Sequence, residues 1–164
     1  MFRSLIVFAL VLTFGHVSTT QAEGIEAPKQ VDDKLWVMGV PDQKDLQHFA
    51  EHQGQIVISL LSEDEVHDMT DLHWYSQQNL AFYNIPVDGS KGVTFANARL
   101  LDKLLLQHSE KNILVHCSSA NRVGALFALR AAWLDGKSTS DALALGRRHG
   151  LTDLEEHVTE MLAQ

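Results

Sequence analysis

The sequence predicts an α/β fold of three layers, a largely parallel sheet of four to five strands flanked by helices. Three observations predict it. Apolar runs of strand length at 35–38, 56–61, 81–85 and 112–116 alternate with longer stretches of helical periodicity. The run Ile56-Val57-Ile58-Ser59-Leu60-Leu61 is apolar almost throughout, as a strand covered on both faces is. Finally, 164 residues, 45% hydrophobic and 21% charged, suit one globular unit rather than a disordered chain or a fibre.

The elements follow in order. Met1-Phe2-Arg3 begins the chain with a positive charge, Leu5 to Phe14 is apolar apart from Thr13, and Thr20-Gln21-Ala22 offers small residues for cleavage. That is the three-part pattern of a signal peptide over 1–22, leaving 23–164 as a single exported domain, periplasmic or secreted. The apolar run is half the length of a transmembrane helix, so no stable membrane anchor is expected. Residues 23–34 read as a polar lead-in. Leu35 to Met38 is a short strand stopped by Gly39 and Pro41; Asp42 caps a helix from Gln43 to about Gln53, with Gly54 as its stop. After the 56–61 strand, the acids Glu63-Asp64-Glu65 begin a helix running to about Gln78, as a solvated first turn favoured by the helix dipole. Ala81 to Ile85 is the third strand. A loop with Asp88 follows, then a helix capped by Thr94 and a fourth strand, Asn112 to His116. Helices are expected from about Arg122 to Leu134, from Ser138 or Ser140 to Gly150, and after a Thr152-x-x-Glu155 capping box.

Charge and cysteine count exclude several functions. Thirteen Lys and Arg against 21 Asp and Glu give −8, which argues against nucleic acid or an anionic membrane surface as partner. A single cysteine excludes an internal disulfide framework and a cysteine-based zinc site. His48 and His52 stand four apart on a helix, but no third ligand is evident, so no metal is expected. Arg147-Arg148-His149 suits the last turn of a helix, and Trp36, Trp74 and Trp133 suit packing.

The chemistry is concentrated in Val115-His116-Cys117-Ser118-Ser119-Ala120-Asn121-Arg122-Val123-Gly124. A strand runs into a small polar loop that opens a helix, and ligands of α/β sheets bind at such carboxyl ends. Loop amides and the first helical amides there form an anion cradle, whose field favours thiolate over thiol at Cys117. Arg122 adds a permanent charge and a planar fork suited to two phosphate oxygens. His116 is expected to orient the loop. An exported chain with one unpaired cysteine suggests a working thiol, with an inert buried thiol as the alternative.

Strand-His-Cys-loop-Arg-helix resembles the cysteine-dependent tyrosine and dual-specificity phosphatases, most closely the bacterial beta-lactamase hydrolase-like phosphatase family. The resemblance extends to Met38-Gly39-Val40-Pro41, Ile56-Val57-Ile58-Ser59-Leu60 and Tyr83-Asn84-Ile85-Pro86-Val87. It implies that Cys117 attacks phosphorus, that Arg122 holds the equatorial oxygens, and that Asp88 is the general acid. The backbone of Ser118, Ser119, Ala120, Asn121 and Arg122 would bind the substrate, a phosphate ester of a small molecule or protein, phosphotyrosine included, with no cofactor and no metal. Three departures stand against it. Four residues separate Cys117 from Arg122 where phosphatases have five, a spacing similar to the rhodanese sulfurtransferases, whose cysteine carries a persulfide. Ala120 replaces a frequent glycine, at a cost of ~1 kcal/mol if the backbone there is left-handed. Val123 lacks the hydroxyl that steadies the departing thiolate. A sulfurtransferase and a non-enzymatic anion-binding domain therefore remain as alternatives.

Overall fold

Ile56, Val57 and Ile58 point alternately to two separate apolar cores, which is why their stretch shows no polar alternation. In the computed structural model, which describes residues 24–67 and 73–164, these residues lie on an inner strand of a five-stranded sheet. The expected leader, 1–22, lies outside the described residues. The strands are β1 (Lys29–Asp32), β2 (Leu35–Met38), β3 (Gly54–Ser59), β4 (Ala81–Asn84) and β5 (Asn112–His116), in the spatial order β1-β2-β5-β3-β4. Four run parallel; β1 pairs antiparallel with β2 at the edge.

Helices cover both faces. On one, α1 (Gln43–Glu51) and α3 (His73–Gln77) bury Leu46, Phe49 and Tyr75 against Trp36, Met38, Val57 and Leu114. On the other, α4 (Phe95–Gln107), α5 (Asn121–Trp133), α6 (Thr139–Arg148) and α7 (Glu155–Leu162) cover Val37, Ile58, Ile113 and Val115. The short α2 (Glu63–His67) follows the exit of β3. Among the described residues no helix is long and apolar enough to cross a membrane.

Local chemistry sets most boundaries. Asp42 Oδ1 accepts from the Lys44 and Asp45 amides at 2.7 and 2.9 Å, and Asp45 Oδ2 accepts from the Asp42 amide, a reciprocal cap at the start of α1. Thr94 and Ser138 cap α4 and α6. Two expectations are corrected. The lead-in contains β1, whose Lys29-Gln30-Val31-Asp32 has almost no apolar content because it is an exposed edge strand. Of the helix expected over 63–78, Glu63–His67 and His73–Gln77 are helical, and 68–72 lie outside the described residues. The capping box at Thr152 does not form: Glu155 turns its carboxylate to Arg147, 2.8 Å from Nε, and α7 begins without a side-chain cap.

The central helix α5 is almost entirely buried and crosses α6 at Gly124. A methyl group built on Gly124 would stand 2.1 Å from the Leu151 amide nitrogen and 2.6 Å from the Gly146 carbonyl oxygen. In an open helix, Gly to Ala gains up to ~1 kcal/mol. Here the sign reverses: Gly124→Ala is expected to destabilise the protein by ~3 kcal/mol through forced separation of the two helices. Urea unfolding measures it; an unchanged midpoint would show that the helices part without cost.

Candidate active site

β5 ends at His116, and the Leu60 amide donates to the His116 carbonyl at 2.8 Å, so the exit of β3 is tied to the root of the loop. Cys117 follows, fully buried, and α5 starts at Asn121. Between them the chain must reverse within three residues. It does so with Ala120 in the left-handed region, φ 68°, the backbone for which the sequence anticipated a cost. Ala120 is fully buried against Gly150, itself at φ 103°, where an added Cβ would lie 2.6 Å from that of Ala120. The strain is thus held by a wall from the end of α6. Asn121 Oδ1 strengthens that wall by accepting from the amides of Thr152 (2.9 Å) and Leu154 (3.4 Å). On the other flank, the Ile25 carbonyl accepts from the Gly39 amide at 2.7 Å, and the Ile25 amide donates weakly to Ser119.

Arg122 is the hub of the site. Its guanidinium is almost completely buried, yet it is hydrogen-bonded to four residues, Leu60, Glu65, Val87 and Ser118. Nη1 donates to Glu65 Oε2 and to the Val87 carbonyl at 2.7 Å each, and to the Leu60 carbonyl at 3.2 Å. Nη2 donates to Glu65 Oε1 at 2.7 Å and to Ser118 Oγ at 2.9 Å. Glu65 therefore grips the fork in two parallel bonds, and Nη2 also reaches the loop through Ser118 Oγ. Burial alone would lower the arginine pKa, but Glu65 and Cys117 outweigh it and raise it. In return the hydrogen bond from Arg122 holds the Glu65 carboxyl down at about 2, against the opposing effect of burial.

These groups surround a cavity of about 360 Å³. Asp88, Ser118, Ser119, Asn121 and Arg122, all named by the sequence, share its wall with Glu65, Ser62 and Leu154. Asp88 is carried one residue beyond the Val87 carbonyl that Arg122 holds. Two expected members are not on the wall: Ala120 is buried behind the loop, and Cys117 lies beneath it. Sequence reasoning missed Glu65, read as a solvated helix start. The available signal was its position, six residues beyond β3 and so on the same carboxyl edge as the cysteine loop. Among the described residues no group of three or more His, Cys, Asp or Glu side chains is placed to hold a metal ion.

His116 is fully buried, and neither ring nitrogen makes a hydrogen bond. Burial, aided by the charge of Arg122, pushes its pKa down to about 3, the Cys117 backbone only partly opposing. It is neutral and serves the loop by packing. In the unfolded chain it titrates near ~6.5. The unfolded state therefore binds a proton that the folded state refuses, and stability is lost as pH falls from there toward 3, by up to roughly 1.4 kcal/mol per pH unit. The Glu65 contribution is present above its ordinary value of 4.5 and lost as pH falls toward about 2. His149, whose pKa burial also lowers, adds to the first phase. Urea midpoints between pH 7.5 and 4.5 should fall steadily, and less steeply in His116→Asn; parallel slopes would exclude His116 as a cause.

No family model matches the chain. A beta-lactamase hydrolase-like protein of Xylella fastidiosa (strain Temecula1) is 27% identical over 139 residues, covering 82% of this chain and 31% of that protein. The chain thus spans about a third of that relative's length. Among solved structures, a DUF442 protein of Shewanella putrefaciens CN-32 described as a phosphatase superposes with a TM-score of 0.62 at 19% identity, over 85% of this chain and 90% of that one. A protein of Neisseria meningitidis Z2491, likewise described as a phosphatase, gives 0.64 at 17% identity over 79% and 94%. P. aeruginosa TpbA, solved in complex with pTyr, gives 0.59 at 17% identity over 88% and 90%. These likenesses establish the fold.

Proposed function

We propose, from a chain with the fold of the cysteine-dependent phosphatases, that it is an exported, metal-independent hydrolase of phosphate monoesters, phosphotyrosine among its candidate substrates. One observation carries the reading: Cys117 and Arg122 stand at the two ends of one loop at the carboxyl edge of β5, and Arg122 shares a cavity with Asp88. An entering phosphoryl oxygen takes the place of Ser118 Oγ on Nη2 while Glu65 keeps its two parallel bonds to the fork. Cys117 is fully buried, so the loop must open before its thiol can reach phosphorus.

The Cys117 thiolate then attacks phosphorus, forming an S–P bond as the ester P–O bond breaks, and the Asp88 carboxyl donates its proton to the departing oxygen. In the second step the Asp88 carboxylate takes a proton from water, whose oxygen attacks phosphorus and releases the thiolate and inorganic phosphate. Loop amides and Arg122 stabilise the transferring group. Asp88→Asn is expected to slow hydrolysis by ~100-fold for alkyl or phenyl phosphates and far less for nitrophenyl phosphate, whose leaving group needs no proton. Equal losses across leaving groups would remove Asp88 from the acid role.

The decisive assay compares aryl phosphate hydrolysis with thiosulfate-to-cyanide sulfur transfer by the reduced protein, using Cys117→Ser as control. Phosphate release that disappears in the control supports the reading. Sulfur transfer alone would make Cys117 a persulfide carrier, the chemistry that the four-residue spacing favours. Neither activity would leave an anion-binding domain, which the burial of Cys117 favours. Export is tested separately, by fractionating cells and sequencing the N-terminus of the recovered chain; an intact Met1 in the cytoplasm refutes it.

A further inference from the structure

A second cavity, of about 300 Å³, opens between the β1–β2 hairpin and helices α4, α5 and α6, and shares no residue with the active-site cavity. Its floor is apolar: Phe127 and Ile113 are each 4% exposed. Leu35, Leu105 and Leu145 are half-buried around it, packed on the larger core but not covered. His149 stacks on Phe127, with ring centroids 4.3 Å apart and 24° between planes. Its Nδ1 lies 2.8 Å from the Leu145 carbonyl oxygen, which fixes the ring. Burial lowers the pKa of that ring and so favours its neutral form.

Charge stands at the rim. Lys34 pairs with Glu110 at 2.9 Å, and Arg130 with Asp102 and Asp135 at 2.8 and 2.9 Å, so neither is available to a ligand. Lys111 and Arg148 line the same cavity, and among the described residues neither side chain has a hydrogen bond or ion pair. Asp32 is the acid in the lining. Arg130 carries one acid more than it neutralises, and Lys29, whose Nζ donates to the Arg148 carbonyl at 3.3 Å, offsets it; Lys111 and Arg148 against Asp32 then leave a single positive charge over, in a chain whose net charge is −8.

We propose that this cavity binds a small aromatic monoanion, an aryl carboxylate. The apolar floor and the His149–Phe127 wall accept a flat ring, removing apolar surface from water on both sides. Lys111 and Arg148 accept the carboxylate. A dianion meets Asp32 uncompensated, and an uncharged arene leaves both cations without a partner. The volume is at the small end for ligand sites and fits one or two fused rings.

The test is isothermal titration of the full-length protein with 1-naphthoate. Saturable one-to-one binding is expected, with a Kd on the order of 100 μM. Lys111→Glu and Arg148→Glu, both at exposed positions, should each weaken it at least tenfold while aryl phosphate hydrolysis stays at the wild-type rate. The uncharged 1-naphthylmethanol should bind at least tenfold more weakly. Leu145→Trp should fill the cavity and abolish binding; if it fails to fold, the two charge variants carry the test. No saturable binding in the millimolar range overturns the proposal. So does equal affinity of the charge variants, or equal affinity for the alcohol.

Discussion

Arg122→Lys is expected to remove at least 1,000-fold of aryl phosphate hydrolysis and to destabilise the protein by roughly 3–5 kcal/mol. Both effects come from the same bonds. The guanidinium joins Glu65, the Leu60 and Val87 carbonyls and the Ser118 hydroxyl through two nitrogens. A lysine ammonium has three donors on one atom and cannot span Glu65 in two parallel bonds while also reaching two carbonyls. The two carbonyls, buried with their strand ends, lose a donor, and Val87 no longer fixes the loop that carries Asp88. Steady-state kinetics and urea unfolding of one preparation measure both quantities. A variant that keeps wild-type stability but loses activity would confine Arg122 to catalysis, and the reverse would confine it to structure.

Glu65→Gln should lower kcat/KM by ~100-fold, mostly through KM, and weaken inhibition by vanadate to a similar degree. Glutamine is close in shape, but its amide nitrogen cannot accept, so one of the two parallel bonds becomes a donor facing a donor. The fork then turns away from the loop, and misplacement by about 1 Å is enough for a loss of that size. The stability loss should be modest, ~1 kcal/mol, because the Glu65 side chain is 37% exposed and water compensates part of the lost pair. Tighter vanadate binding in Glu65→Gln would reverse the assignment. Glu65 would then be an occupant that competes with the anion rather than the residue that aims the arginine.

Much of the fold was legible because each layer leaves its own period in the sequence. Ile56 to Leu61 is apolar without alternation since both faces are covered, and Asp42, Thr94 and Ser138 are caps whose side-chain oxygens have local targets. β1 escaped because an edge strand needs partners only on one side and little apolar content. The capping box at Thr152 failed for a related reason: Arg147, eight residues away, offers Glu155 a stronger partner than a backbone amide does. At the candidate site, the cysteine loop was legible as a contiguous motif, and Ala120 is left-handed, the case for which a cost was expected. Glu65 was not, since a carboxylate on an acidic first turn looks solvated until the fold brings Arg122, 57 residues away, against it. The burial of Cys117 was raised as an alternative and left open, because it depends on the segments stacked around the loop.

Those segments also fix when the site can exist. Arg122 finds Leu60, Glu65 and Val87 in chain that is synthesised before it, but the wall behind Ala120 comes from Gly150, and the amides held by Asn121 belong to Thr152 and Leu154. A nascent chain that has emerged only as far as α5 thus has its guanidinium partners and lacks the support that keeps Ala120 left-handed. The loop takes its final shape only when residues 150–154 arrive. Nonsense truncations before residue 150 are expected to lose the shape of the 117–122 loop even where the sheet survives, because its supports at Gly150, Thr152 and Leu154 would be missing.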